Sequence, residues 1–274
     1  QDDGDTFVAP LSRVEDVLIH ARRRRGEDAV TISGQPLEAE LPSWQTDIGA
    51  PAKVSLDRRN NRLRAVSAQG GYFPITAETT KGMFLEQPAT ATEESQELAF
   101  NRLVEFSGGR LAVTGPGQQH QVLVIDSAAE PVPPRLVSLK PFGTKVADAI
   151  GFQDRLLVPF EEGMIRLFDL KDGSQSVMPF QPELRAGDRK SWSTPVVDRA
   201  DPNKFVVLEN GRQLYRVGIK ESPQRHMAAL QQRTLAEPIA NSIAALGDTL
   251  FAVKREADHD VVVTFQLPGF EDDH

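Results

Sequence analysis

The sequence predicts an all-β protein in which one small antiparallel sheet recurs along the chain. Three observations lead there. Alternating apolar runs of strand length are separated by Gly-bearing or polar turns, as in "DRLLVPFEEGMIRLFDLKDGSQSVMPF", Asp154 to Phe180. The leading apolar anchor of that stretch, Leu156, has counterparts at Leu18, Leu63, Leu111, Phe205 and Leu250, at intervals of 45, 48, 45, 49 and 45 residues. Each anchor is followed by a turn and then by a second β-rich run. A period near 45 residues carrying four candidate strands is that of a β-propeller blade, since a twisted four-stranded sheet that is apolar on both faces must stack against its neighbours to hide them.

Taken in order, each unit opens with a short apolar stretch: "VAPLSRV", "PAKVSL", "NRLVEF", "VADAIGF", "TPVVD" and "IANSIAAL". The anchor strand follows; in the fourth unit it is Leu156-Leu157-Val158, with Glu161-Glu162-Gly163 as the turn and Ile165-Arg166-Leu167-Phe168 as the next strand. A polar turn then leads to a fourth strand in "LEAELPSW", "MFLEQ", "RLVSLK", "QSVMPF" and "HMAALQQ". The units run approximately over 6–46, 47–97, 98–142, 143–190, 191–236 and 237–274, in a single domain. Only "SPQRHMAALQQRTLA" and "ATATEESQELAFNRL" have the composition to wind into helix. The last unit ends in an acidic tail without a clear fourth strand, and the N-terminal "QDDGDTF" is a poor candidate to supply it. The expected fold is therefore a propeller of about six four-stranded blades, the last incomplete, or part of a ring of seven or eight.

The order of elements in "ADAIGFQDRLLVPFEEGMIRLFDLKDGSQSVMPF" and "TPVVD…KFVVLENGRQLYRVGI" resembles the PQQ-like (quinoprotein-type) β-propeller repeat. "DLKDG", Asp169 to Gly173, matches the turn into its outer strand, and Trp44 in "LPSWQTDIGAP" resembles the aromatic that ends that strand. The WD dipeptide of WD40 repeats is absent. The resemblance implies the scaffold and an extracytoplasmic setting in bacteria, in the periplasm or at the cell surface. It does not imply the quinone cofactor: that class stacks its cofactor on Trp and often uses a vicinal cysteine pair, and here there are two Trp and no Cys. No cofactor and no metal are expected.

Net charge is −8, which leaves no global basic field for nucleic acid or anionic lipid. The absence of cysteine removes disulfides and thiolate chemistry, and no apolar run reaches the roughly 20 residues of a membrane span. The chain begins at Gln1 rather than Met, so an upstream leader or region, and further domains of a larger parent chain, are expected. Among the histidines, His20, His120, His226, His259 and His274, none is spaced as a helical zinc pair. "ADHDV" reads as a cation site or as a polar hairpin tip. "DRADPNK", Asp198 to Lys204, reads as a turn. No nucleophile elbow or phosphate loop occurs.

Two features invite a partner. "ARRRRGED" places Arg23 and Arg24 near a turn, where they either clamp an acidic partner or lie solvated beside Glu27 and Asp28. Trp192, next to Arg189 and Lys190, lies on a long connection into the fifth unit. It either anchors a partner on one mouth of the ring, with the connections Pro88–Glu97 and Gln231–Glu237 around it, or caps its own blade. The function expected is a non-catalytic scaffold or binding module, contacting a protein or polymer through loops at one mouth. The alternative is a hydrolase or lyase with a carboxylate/His site at the channel. A spacer or docking element of a multidomain protein is the third.

Overall fold

The computed structural model describes residues 6–8, 11–14, 16–24, 26, 29–38, 40, 42–47, 53–57, 62–66, 72–75, 100, 102–106, 110–125, 135–182 and 190–272. Among them there is no helix, and the strands form six antiparallel sheets. The first holds β1 (Thr6–Phe7), β2 (Ser12–Val14), β3 (Val17–Arg23), β4 (Val30–Pro36) and β5 (Trp44–Asp47). The second is β6 (Lys53–Asp57), β7 (Arg62–Val66) and β8 (Tyr72–Ile75). The third is β9 (Arg102–Glu105), β10 (Leu111–Thr114), β11 (Gln121–Ile125) and β12 (Arg135–Ser138). The fourth is β13 (Ile150–Phe152), β14 (Arg155–Pro159) and β15 (Ile165–Phe168). The fifth is β16 (Val196–Val197), β17 (Lys204–Glu209), β18 (Gln213–Lys220) and β19 (His226–Thr234). The sixth is β20 (Ile243–Leu246), β21 (Thr249–Arg255), β22 (Asp260–Gln266) and β23 (Glu271–Asp272).

The repeat read from the anchors has a structural meaning. Leu18, Leu63, Leu111, Leu156, Phe205 and Leu250 all lie on the strand that pairs with the opening strand of its sheet. Turn chemistry sets the hairpins. Gly163 takes φ +83°, with Phe160 N–H bonded to Met164 O at 2.9 Å, which closes the β14–β15 turn where only glycine is at ease. "DLKDG" turns as its sequence requires: Asp169 Oδ1 accepts from Lys171 N–H, Gly173 N–H returns to Asp169 O, and Gly173 sits at φ +75° against the backbone of Ser138. The outer strand "QSVMPF" joins the fourth sheet through the bridges Phe168–Gln175 and Ile165–Phe180.

The strand expected at "HMAALQQ" forms as β19, because Met227, Ala228 and Ala229 fit the ladder to β18 and the packed face beneath it overrides the helix propensity of "SPQRHMAALQQRTLA". Two expectations are corrected. The sixth sheet does have a fourth strand, the two-residue β23, while Thr6–Phe7 pairs with β3 in the first sheet. "ATATEESQELAFNRL" and "MFLEQ" lie largely or wholly outside the described residues. Trp44 starts rather than ends its outer strand; it pairs with Gly34, whose missing side chain leaves the space the indole fills.

By packing, the chain forms two units: Gln1–Leu103 with Gly109–Pro116 and Val122–Leu136, and Val104–Gly108 with Gly117–Gln121 and Val137–His274. The first has a core of Phe100, Leu111, Val113, Leu123 and Ile125, and buries Ile19, Ala21, Val30 and Ile32 on β3 and β4. The second has two cores. One packs Phe152, Leu157, Ile165, Leu167, Phe180 and Trp192 with Phe205, Val207 and Val217. The other packs Val206, Leu208 and Leu214 with Ile243, Leu250, Phe265 and Phe270. Alternate residues of β17 thus serve the two cores, and the fifth sheet is buried on both faces, as stacked sheets require.

Candidate functional site

The connection into the fifth sheet is a clamped strap. Lys190, buried, pairs its ammonium with Glu209 at the end of β17, and Tyr215 Oη donates to the other carboxylate oxygen at 2.8 Å. Burial and that carboxylate push the Tyr215 phenol well above its ordinary range. Trp192, 1% exposed, packs on Phe180 and Tyr215 with ring centroids 6.2 and 6.4 Å away. Its indole N–H has no hydrogen-bond partner among the described residues. Ser193 Oγ accepts from Leu208 N–H, and Ser191 N–H donates to Asn210 Oδ1 at 2.7 Å. Asn241 Nδ2 donates both to Ser191 Oγ and to Trp192 O.

Of the two readings of Trp192, the burial fits the cap rather than the exposed anchor. Trp192 caps the fifth sheet from inside, because an indole packed on Phe180 and Tyr215 gains more from burial than from the rim, and Lys190 is spent on Glu209, whose carboxylate offsets the cost of burying the ammonium. Arg189 lies outside the described residues. Arg23 is half-buried on β3, between Thr6 and Val30, and Arg24 is exposed just beyond the strand.

What the strap leaves outward is a polar rim: Ser191, Asn210, Arg212 and Asn241 are exposed. From it runs the segment after β19, tied to the β17–β18 turn by Leu235 N–H to Arg212 O and Ile239 N–H to Gly211 O, both 2.8 Å. Gly211, at φ +69°, is required there because a side chain would collide with Ile239 O. Beyond this segment opens a cleft of about 490 Å³ between β19 and β22. Its floor is apolar: Leu235, Ile239, Val263 and Phe265. Its walls are ion pairs. Arg233 grips Asp272 with both carboxylate oxygens at 2.7 and 2.8 Å and lies over the Phe265 ring at 5.4 Å; Lys254 pairs with Glu237 and, at 3.1 Å, with Glu256. The Lys254 ammonium holds the Glu237 carboxyl below its ordinary range, and the two carboxylates hold Lys254 above its own. The connection Gln231–Glu237, named from the sequence as part of a binding mouth, supplies Arg233, Leu235, Ala236 and Glu237; the facing residues of β21 to β23 come from a part of the chain that spacing does not link to it.

Other candidate chemistry resolves into structure. Asp198, fully buried, takes Arg216 on Oδ2 at 2.7 Å and the amides of Ala200 and Asp201 on Oδ1, so "DRADPNK" is a turn pinned to the sheet. His259 is an exposed hairpin tip, its ring 2.6 Å from Asp258 and 3.4 Å from Glu256. No cluster of three or more His, Asp or Glu suited to a metal ion occurs among the described residues. A smaller groove of about 260 Å³ runs past Glu105, Asp154 and Asn203. There Gln153 Nε2 bonds Asn203 Oδ1 at 3.0 Å.

No family model matches the chain, and no curated protein matches its sequence. Solved structures do. A chain of the mitotic checkpoint complex matches at 7% identity over 92% of this chain and 73% of its own, with a TM-score of 0.52. BamB from Moraxella catarrhalis matches at 12% identity over 80% and 73%, and KlHsv2 with loop 6CD replaced by a Gly-Ser linker at 10% over 82% and 71%, each with a TM-score of 0.49. These are β-propeller proteins, and together with the repeated antiparallel sheets the likeness to the first gives this chain a β-propeller fold.

Proposed function

We propose that this protein is a non-catalytic binding module that docks a protein partner on the rim and cleft of its fifth and sixth sheets. The observation that carries the reading is the cleft itself: an apolar floor of Leu235, Ile239 and Phe265 between fixed ion pairs, held by a backbone tied down at Gly211 and Arg212. Apolar area supplies affinity and the walls select orientation. A rigid frame lowers the ordering cost of binding. The negative net charge favours a protein partner over nucleic acid. In this reading the six sheets are blades of one ring, the repeat is of the PQQ-like kind, and the protein works outside the cytoplasm, alone or beside further domains. Arg24, exposed, is a secondary contact for an acidic group.

Site-specific photo-crosslinking tests it. A benzophenone side chain at exposed Ala236, in the cleft, is expected to give a discrete adduct with one protein in an extract of the source cells. The same group at exposed Lys171 is expected to give none. No adduct at Ala236, or the same adduct from both positions, overturns the proposal.

A further inference from the structure

The sixth sheet carries an open edge. β22 pairs with β21 along its whole length, from Asp260 opposite Arg255 to Gln266 opposite Thr249. On its other side β23 pairs only with Phe265 and Gln266. Among the described residues, the outward backbone of Asp260–Thr264 therefore meets no strand. Alternate residues of an antiparallel edge point both N–H and C=O outward, so five residues offer roughly two or three pairs of ladder bonds.

Protein edges are ordinarily guarded by charge, proline or a bulge. The fifth sheet follows that rule: its outer strand β19 bulges at Leu230, where the register against β18 shifts between Arg216 and Val217, and its edge carries Gln231, Gln232 and Arg233. The β22 edge does not. Its centre is Val261-Val262-Val263, unbulged, with Val262 64% exposed. The 490 Å³ cleft lies against the same residues, Val262, Val263 and Thr264, and leaves room for a chain beside them. The ends of the edge are acidic: Glu256, Asp258 and Asp260 at one end, Glu271 and Asp272 at the other. Lys254 and Arg233 are engaged by Glu237 and Asp272, and Arg255 stands opposite Asp260.

We infer that Asp260–Thr264 accepts an extended segment of the protein partner as an added outer strand, with small β-branched side chains at its centre and a lysine or arginine at each end. Backbone ladder bonds supply the affinity, Val262 and the cleft floor select apolar residues, and the acidic ends set the preference for basic flanks. This deepens the docking reading above and rests on it.

The probe is acetyl-Lys-Val-Thr-Val-Thr-Val-Lys-amide, titrated against the full chain. Two further peptides carry backbone N-methyl groups, one at the valines and one at the threonines. Because a strand presents alternate amides to opposite edges, one methylated peptide should lose at least about tenfold in affinity and the other should retain it. Val262→Lys, at an exposed position, should abolish binding while leaving the thermal midpoint unchanged. Asp260→Lys should weaken it about threefold and flatten its salt dependence. No binding of the parent peptide, or equal behaviour of the two methylated ones, overturns strand addition. So does finding the outward amides of Val261–Thr264 already protected from hydrogen exchange in the free protein. These results leave the crosslink at Ala236 untouched, so strand addition and docking fail separately.

Discussion

The fifth and sixth sheets have the same strand order and differ in what covers them. In the fifth, β17 is buried from Phe205 to Glu209 and β18 from Leu214 to Gly218, on both faces. In the sixth, burial alternates. Leu250, Ala252 and Phe265 are inside, while Leu246 and Val262 are 74% and 64% exposed. The fifth sheet also internalises charge, in Asp198–Arg216 and Lys190–Glu209; the sixth keeps its pairs at the surface. One sheet is thus a frame and the other a surface, although their sequences are of one kind. Burial on two faces is what allows a sheet to hold buried ion pairs, because only there are both partners fixed and desolvated together.

The contrast can be broken most severely at Trp192. Trp192→Ala should cost about 3–5 kcal/mol, read as a fall in the urea midpoint, since it opens a cavity between Phe180 and Tyr215. An unchanged midpoint would show that the strap is not part of the core. Asp198→Ala comes next, at about 3 kcal/mol, because Arg216 would be left buried with only Gln231 to meet it. The double change Asp198→Ala with Arg216→Met should recover much of that loss, and failure to recover would assign the cost to the turn amides instead.

Gly173→Ala should destabilise by about 1–2 kcal/mol, from φ +75° and the crowding against Ser138. Alkali offers a gentler test. The Tyr215 phenol is raised in the folded protein, so the folded state holds its proton more tightly than the unfolded state does. The associated stability is complete below about pH 10, the ordinary tyrosine value, and is lost as pH rises through the folded value. Denaturant midpoints at pH 9 and 11 should therefore diverge less in Tyr215→Phe than in the wild type. The smallest effect belongs to the sixth sheet: Lys254→Ala should leave the midpoint unchanged within error, and a clear loss would mean that the cleft wall is structural.

Much of the architecture was legible because its causes are local. Gly163 and the Asp169–Gly173 turn mark hairpins by backbone chemistry, and the six anchors mark strands by periodicity. At Met227–Gln232 the cause is not local: alanine, leucine and glutamine favour helix in isolation, and the partner β18 makes the segment the strand that "HMAALQQ" also suggested. The candidate site was harder. A tryptophan beside two cations reads as an anchor or as a cap, and the choice depends on Phe180, Glu209 and Tyr215, which come from three other segments. Only one side of the cleft, the connection Gln231–Glu237, was legible, for the same reason: Arg233 and Asp272 are 39 residues apart.

By itself, then, the order of residues determined that the chain makes strands, where it turns, and that one sheet design recurs, because turn geometry and alternation act within a few bonds. Which sheet became frame and which surface, where Trp192 went, and where an edge meets no strand among the described residues were decided by the tertiary structure. Those outcomes depend on which distant groups exclude water together, and that is a property of packing in space rather than of spacing along the chain.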